Sequence, residues 1–242
     1  MAHGYPAYGN VRRSTVFGQE ISQAELAARL GSIDTYDRRG EVAWFDDFEA
    51  GLGAWKTDFA GTGGAVARST VLPRNGAYAV LLTAGSTETR WAVIEHTLSL
   101  FRAGHVGFEV SFSPNTYVAY VDVYVDWNDG SLFHTFIVRY AVVEQELQYL
   151  TSDSSYVTFA ENLVLFDDMP GFHTAKLVVD SAALLYSRFL LDDVEYSLTG
   201  LVPPTSVSTE APYLNVGVSI FSQVGVNGTV FVDDVIVTQN EP

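Results

Sequence analysis

Short segments in which apolar and polar residues alternate recur along most of the chain. A period of two residues places successive side chains on opposite faces, so the pattern predicts β-strands. Turn signals separate the segments, for example Asp129-Gly130. Many short strands of this kind predict an antiparallel β-sandwich or jelly roll. The predicted strands are Glu41–Phe45, Ala77–Thr83, Trp91–Leu98, Val106–Ser113, Tyr117–Trp127, Leu132–Val142, Leu147–Thr151, Tyr156–Phe159, Thr174–Val179, Ser187–Leu191, Leu214–Phe221 and Thr229–Val237.

Residues 1–43 carry a different pattern and are predicted to form an arm, a short helix and a corner ahead of the sandwich. Residues 1–20 mix Gly, Pro, Tyr and Arg without periodicity. They form either a loose tail or an assembly arm that docks on a neighbouring subunit through Arg12 and Arg13. A capping box, Ser22 with Glu25, predicts a helix from Ser22 to Gly31. Residues 37–40, between Ile33–Tyr36 and Glu41–Phe45, are predicted to form a hairpin or a sharp corner. The sandwich is predicted to span 44–242.

Two acidic segments frame the predicted sandwich. Asp46-Asp47-Phe48-Glu49 precedes a Gly-rich turn and Trp55, and Val232–Val237 contains Asp233 and Asp234. Because the segments stand at opposite ends of one β-rich stretch, we expect them on the first and last strands, lying side by side. Acidic residues at such positions face water, cap a turn or hold a cation.

The strand Tyr117–Trp127 has two contrasting faces. One is apolar and is predicted to face the core: Tyr117, Ala119, Val121, Val123, Val125 and Trp127. The other begins with Val118 and then interleaves tyrosines with carboxylates: Tyr120, Asp122, Tyr124 and Asp126. Tyrosine is enriched at protein–protein interfaces, but the same face suits sugar binding or a plain polar surface. The neighbouring strand presents one of two sets beside it: His134, Phe136, Val138 and Tyr140, or Thr135, Ile137 and Arg139.

The net charge and the composition exclude some classes of binding partner and some kinds of site. The 242 residues include 29 acidic and 13 basic side chains, a net charge of −16. Such a chain repels phosphates and anionic lipids, so neither nucleic acid nor a membrane is an expected partner. Solubility, divalent-cation binding or a salty medium accounts for the acidity. The chain has no cysteine, which excludes disulfides, thiol catalysis and zinc–thiolate sites.

The sequence offers little for catalysis. Adjacent carboxylates at Asp167-Asp168 and Asp192-Asp193 sit in turns or alternate across a strand, so neither pair is expected to converge as a glycosidase requires. The 5 histidines show no metal-ligand spacing, and His173 is expected to be a hydrogen-bonded strand-edge residue. No phosphate loop or Gly-x-Ser-x-Gly motif is present. We therefore expect a protein that is not an enzyme.

Two groups of segments resemble known β-sandwich families. The chain resembles the jelly-roll carbohydrate-binding modules at Phe48-Glu49, Trp55, Asn75–Val80 and Phe231–Val235. It resembles the strand pair of laminin-G-like and concanavalin-like sandwiches at Gly171–Asp180 and Phe189–Tyr196. There, Phe172 and Asp193 replace the usual Trp and Gly. Together these matches cover most of 44–238, and both imply a jelly-roll sandwich.

The resemblances also imply functions. Carbohydrate-binding modules of this kind carry a structural calcium between the first and last strands, and Glu49 and Asp234 occupy the matching positions. An arm and helix ahead of one sandwich resemble phage virion proteins, which reuse such jelly rolls as capsid decorations or tail parts.

These similarities imply a non-enzymatic structural protein of a virus particle that associates with itself or with other virion proteins. Its expected location is the virion or the extracellular space, reached without a classical signal peptide. The alternative is a carbohydrate-binding module that recognises a polysaccharide or cell-surface glycan. A polysaccharide hydrolase is the third hypothesis.

Overall fold

The computed structural model describes Asp37 and residues 39–99, 102–165 and 171–242. Within this part, Arg39–Pro242 forms one compact unit. The described residues form strands and turns, and among them is no helix long and apolar enough to cross a membrane. The predicted assembly arm with Arg12 and Arg13, and the predicted helix over 22–31, lie outside the described residues.

The strands lie in two sheets of eight strands each. The first sheet has the order β13-β12-β11-β6-β16-β4-β3, with β1 also paired to β16. Its strands are β1 (Glu41–Asp46), β3 (Ala65–Ser69), β4 (Ala79–Thr83), β6 (His105–Pro114), β11 (His173–Asp180), β12 (Leu185–Leu191), β13 (Val194–Ser197) and β16 (Thr229–Gln239).

The second sheet has the order β10-β9-β8-β7-β15-β5-β2, with β14 paired to β8. Its strands are β2 (Lys56–Ala60), β5 (Trp91–Ser99), β7 (Val118–Asn128), β8 (Leu132–Ala141), β9 (Glu146–Leu150), β10 (Tyr156–Ala160), β14 (Thr205–Val207) and β15 (Tyr213–Ser222). The strand pairs of both sheets are antiparallel. The predicted fold class, an all-β antiparallel jelly-roll sandwich, is confirmed.

The strands that the sequence did not predict lie at the edges and are largely exposed. Strands β2 and β3 have only intermediate or exposed residues, so they carry no alternating apolar signal. Strand β14 lies inside Leu201–Pro212, which is rich in Pro, Ser and Thr, and all three of its residues are exposed. An edge strand is held by its backbone ladder, which leaves little trace in side-chain polarity.

The core lies between the two sheets. Side chains such as Phe108, Leu177 and Val218 are fully buried, and burial of each such side chain contributes about 1.5–3 kcal/mol. A polar contact also joins the sheets at Tyr186 of β12. Its hydroxyl accepts a hydrogen bond from the Ile137 amide at 2.9 Å and donates to the Leu150 carbonyl at 2.9 Å. A tyrosine from one sheet thereby satisfies backbone groups of the other.

The two acidic frame segments meet as predicted, because β1 pairs with β16. Strand β16 also pairs with β4 over Thr229–Val232 and with β1 from Val235 onward. Between these stretches lie Asp233 and Asp234, at a register shift against β6. Asp234 has a positive φ of 47°, a conformation that Asp tolerates better than most residues. The acidic pair therefore marks the bulge at which β16 changes partner.

A loop fills the gap beside this bulge. The Asp233 side chain accepts hydrogen bonds from the backbone amides of Arg74 at 2.7 Å and Asn75 at 3.3 Å. These contacts satisfy amides that have no strand partner at this position. Burial, followed by repulsion from Asp234, raises the pKa of Asp233 to about 7.

Candidate functional site

The outer face of the second sheet holds a groove of about 520 Å³. Its lining comes from β5, β7, β8, β10 and β15: Trp91, Val93, Glu95, Asp122, Tyr124, Asp126, Phe133, Thr135, Ile137, Arg139, Tyr156, Ser219 and Phe221. The volume lies within the range of sites that hold small ligands. We call this surface the groove.

Strand alternation places these residues. On β8, Phe136 and Val138 are buried in the core, whereas Thr135, Ile137 and Arg139 line the groove. On β5, Ala92 and Ile94 are fully buried, and Trp91, Val93 and Glu95 face the groove. The second of the two alternatives for β8 is therefore the one the structure adopts.

The predicted face of tyrosines and carboxylates on β7 contributes three of the lining residues: Asp122, Tyr124 and Asp126. Tyr120 lies beside them, with its ring 4.3 Å from the Arg139 guanidinium carbon.

Two assignments at the start of this strand are wrong. Val118 is fully buried and packs in the core, whereas Tyr117 is 52% exposed. Tyr120 pairs with Phe221 but Val118 pairs with Ser222, so Ala119 is an extra residue that reverses the alternation.

Asp122 forms a two-pronged ion pair at one end of the groove. Arg139 donates to its carboxylate oxygens from Nε at 2.7 Å and from Nη2 at 2.8 Å. The Arg139 guanidinium carbon also lies 3.7 Å from the ring centre of Tyr156. Burial raises the pKa of Asp122, while the hydrogen bonds from Arg139 oppose that effect. This geometry fixes the arginine between two aromatic rings.

A second network joins two carboxylates across β15. Asn215 on β15 donates from Nδ2 to Glu95 at 3.2 Å and to Asp126 at 3.3 Å. These two distances place the carboxylate oxygens no more than 6.5 Å apart. Tyr124 donates its hydroxyl to Glu95 at 3.1 Å, and Lys56 forms an ion pair with Glu95.

The two carboxylates of this network have different proton affinities. Burial raises the pKa of Asp126 to about 6, although Asn215 and Thr135 donate hydrogen bonds to it. Burial also acts to raise the pKa of Glu95, but hydrogen bonds from Lys56, Asn215 and Tyr124 outweigh it and lower that pKa. Near neutral pH both groups are acceptors, and Asp126 is the one that first takes up a proton on acidification.

Half-buried aromatic rings surround the polar centre. Trp91, Phe133, Tyr156 and Phe221 line the groove, and each is neither fully buried nor fully exposed. Rings with one free face present flat apolar surfaces next to the carboxylates and Arg139. The groove thus combines flat apolar platforms with a few fixed polar groups.

Sequence reasoning did not identify Glu95, Trp91 or Asn215 as site residues. They join the face of β7 only because β15 inserts between β5 and β7: Asn215 links Glu95 to Asp126, and Trp91 lies beside Phe221 at the other end of the groove. That pairing joins segments far apart in sequence and leaves no local signal. Glu95 and Asp126 come from two different strands, whereas the adjacent carboxylates Asp192 and Asp193 lie in one turn.

The predicted calcium ligands both hold the loop before β4. Glu49 Oε1 accepts hydrogen bonds from the backbone amides of Ala77 at 2.6 Å and Tyr78 at 2.9 Å. Asp234 accepts from the Asn75 side chain and lies 3.8 Å from Arg74 Nη1. In these contacts the carboxylates accept hydrogen bonds from N–H donors or pair with a guanidinium. Calcium binds six to eight oxygens, so this arrangement does not fit a calcium site. The described residues include no group of three or more His, Asp or Glu side chains placed to hold a metal ion.

Other candidate residues lie away from the groove. His173 Nδ1 lies 2.7 Å from Asp192 Oδ2, in agreement with the expected strand-edge hydrogen bond. Asp192 and Asp193 form the turn between β12 and β13. Asp167 and Asp168 lie outside the described residues.

Solved structures with the same fold include proteins that act on or recognise carbohydrates. An endo-β-1,4-glucuronan lyase from the fungus Trichoderma reesei superposes with a TM-score of 0.56 at 10% identity, covering 83% of this chain and 96% of that one. A carbohydrate esterase from the Shiga toxin-encoding bacteriophage phi24B gives 0.55 at 12% identity, with coverages of 84% and 100%.

The carbohydrate recognition domain of Emp46p, in a potassium-bound form, gives a TM-score of 0.52 at 9% identity, with coverages of 80% and 92%. No protein-family model matches this chain, and no curated protein sequence matches it. At these identities the similarity shows the fold alone, which is a jelly-roll or concanavalin-like β-sandwich.

Proposed function

We propose that the protein binds a glycan in the groove of the second sheet and does not cleave it. The observation that carries the proposal is the combination of half-buried rings, such as Trp91 and Phe221, with fixed carboxylates in one groove of about 520 Å³. Aromatic rings stack on the apolar faces of sugar rings, and carboxylates accept hydrogen bonds from sugar hydroxyls. The solved carbohydrate-recognition and carbohydrate-active proteins of this fold support the same ligand class.

Charge favours a neutral glycan. The groove and its rim hold three carboxylates, on Glu95, Asp122 and Asp126, against the two cations of Lys56 and Arg139. Both cations are already in ion pairs with these carboxylates. The chain as a whole carries a net charge of −16. A polyuronate would therefore meet like charge without a free cation in the groove, whereas a neutral chain would not.

Hydrolysis is the competing activity, because glycosidases use a pair of carboxylates and the Glu95 and Asp126 oxygens bound to Asn215 lie no more than 6.5 Å apart. Here Asn215 links the two groups, and Glu95 also accepts from Lys56 and Tyr124. A general acid must be free to give its proton to the glycosidic oxygen. We infer that the network instead orients acceptor oxygens towards sugar hydroxyls.

A panel of neutral and uronic polysaccharides tests this proposal. Trp91→Ala should lower the affinity for a bound neutral polysaccharide roughly tenfold, because a stacking platform is lost. Tyr117→Ala, at an exposed ring outside the groove, is the matched control and should bind like the unaltered protein. Failure of every polysaccharide to bind would reject the proposal. Release of new reducing ends would show that the protein hydrolyses the polysaccharide, and the proposal of binding without cleavage would be wrong.

A role in a virus particle is the second candidate. The phage esterase, which covers 84% of this chain, supports the use of the fold by phages. Arg12 and Arg13 precede a strongly acidic body, and an arm of this charge suits docking on a neighbouring copy or another virion protein. Deletion of residues 1–31 should leave the sandwich folded and abolish assembly in light scattering. An oligomer that survives the deletion would reject this role for the arm.

A further inference from the structure

A second hollow of about 340 Å³ opens beside the groove. Phe133 lines both, so the two are neighbours on one face of the sheet. The remaining lining comes from Tyr213, at the start of β15, and from residues 206–210, which include the last two residues of the edge strand β14 and the three that follow it. We call this surface the second hollow. The sequence gives no signal for it, because Leu201–Pro212 is rich in Pro, Ser and Thr.

The second hollow is anchored to the sandwich. Strand β14 pairs with β8 through Thr205 and His134. The fully buried Asn128 donates from its side chain to the Ser208 hydroxyl at 2.8 Å, and the Ser208 amide donates to the Ser131 carbonyl at 2.8 Å. These bonds fix both the backbone and a side chain of the rim. The hollow is therefore formed before any ligand enters, which reduces the entropy lost on binding.

The chemistry of the second hollow continues that of the groove. The rings of Phe133 and Tyr213 lie with their centres 6.3 Å apart and tilted by 49°, which leaves an apolar platform. Ser206 and Thr209 are exposed and present hydroxyl groups around it. Glu210 contributes a carboxylate to the rim. Platforms surrounded by hydroxyls and an acceptor suit a neutral sugar ring, as the groove does.

The distance along the sheet also sets the length of a ligand that fills both the groove and the second hollow. Along β8, the groove face runs from Arg139 to Phe133, which is six residues, or about 20 Å at the rise of a strand. The second hollow lies beyond Phe133. A single sugar ring cannot reach from the Arg139 end of the groove across Phe133 to Tyr213, whereas a chain of several rings can.

We propose that the second hollow is a further binding site for the same glycan chain, so that the protein recognises an extended neutral oligosaccharide rather than a chain end or single sugar. The proposal rests on the proposed function of the groove. Phe133 is then the ring over which the chain passes from one site to the other. The affinity should accordingly rise with chain length until both sites are filled.

Calorimetric titration with a panel of neutral disaccharides and their hexasaccharides tests the proposal. We expect the unaltered protein to bind a hexasaccharide at least roughly tenfold more tightly than its disaccharide. Tyr213→Ala should remove most of this preference and leave disaccharide binding in the groove unchanged. Tyr213→Phe keeps the ring and should retain the preference.

A second variant covers the case in which Tyr213→Ala fails to fold. Ser206→Arg places a long side chain over the Phe133–Tyr213 rings, where its guanidinium can stack and fill the hollow. It should also abolish the preference for length. Equal affinity for both lengths in the unaltered protein would overturn this proposal while the groove still binds. If no sugar of either length binds, the proposed function itself fails, and this extension fails with it.

Discussion

The ring of Tyr124 lies across Gly217 on the neighbouring strand. A Cβ atom at position 217 would come within 2.5 Å of the tyrosine ring and 2.6 Å of the Ile94 carbonyl oxygen. The absence of a side chain therefore lets the Tyr124 hydroxyl pass over β15 and reach Glu95 on β5, at 3.1 Å. One glycine thus connects residues from three strands at the polar centre of the groove.

Gly217→Ala should destabilise the fold and weaken glycan binding together. Neither the backbone carbonyl nor the buried ring can move aside freely, and overpacking of this kind costs about 1–3 kcal/mol. Thermal unfolding should show the midpoint lowered by several degrees. Ser219→Ala, on the same face of the same strand, is the control. An unchanged midpoint for Gly217→Ala would contradict the close packing of Tyr124.

Arg139→Leu should be among the most damaging single changes in the groove. It leaves the Asp122 carboxylate, whose side chain is 4% exposed, without its cation. Removal of one partner from a buried ion pair costs about 3–5 kcal/mol. Urea unfolding measures the loss. Arg139→Lys keeps the charge but not the two-pronged geometry, so it should lose less stability than Arg139→Leu. Equal losses of stability in the two variants would show that charge alone does not account for the pair.

Asp233 should make stability depend on pH. Its pKa is about 7 in the folded protein, against about 3.9 in an unfolded chain. The folded state therefore binds more protons between these values, so this stabilising contribution is complete below about pH 4 and is lost as the pH rises through 7. Asp233→Asn should remove that decline, and urea unfolding from pH 4.5 to 8 measures it.

Asp126→Asn is the comparison for this pH dependence. Because the pKa of Asp126 is about 6, its contribution is lost at lower pH than that of Asp233. The two variants should therefore flatten different parts of the plot of unfolding free energy against pH. If the stability of Asp233→Asn declines with rising pH as steeply as that of the unaltered protein, the carboxyl at position 233 does not cause the pH dependence.

Chelation tests the calcium implied by the resemblance to carbohydrate-binding modules. The contacts of Glu49 and Asp234 are with N–H donors and Arg74, so we expect the melting temperature to change by less than about 2 °C in EDTA. Glu49→Gln can accept the same two amide hydrogen bonds and should be nearly neutral. A melting temperature that falls with EDTA and recovers with added calcium would establish a metal site.

The sequence predicted the fold well because alternation is strong wherever one face of a strand is buried. Strand β7 has a core face and a polar face, and the sequence assigns both along most of its length, whereas for β8 it predicts the strand and leaves open which face is buried. The extra residue at Ala119 was not foreseen, since a bulge depends on the pairing with β15. Edge strands such as β14 were missed because no face of theirs is buried.

The site was predictable only strand by strand. Asp122 and Asp126 stood out because carboxylates on a sheet face are unusual within one segment. Glu95 did not stand out, since its significance comes from Asn215, which lies between it and Asp126 in space but 120 residues from Glu95 in sequence. Which strands are neighbours in a sheet is decided by the whole chain, and a single strand does not encode it.

The change of partner along β16 has a consequence for the order of events during synthesis. Strands β1, β4 and β6 all pair with β16, so the centre of the first sheet cannot form until residues 229–239 have been made. At ribosomal speeds, β1 waits about 10–40 s for this strand. During that time its edge is open to other chains. A nascent chain stalled before β16 would therefore be prone to aggregate. A chain stalled just after β16 would already contain the strand that completes the first sheet.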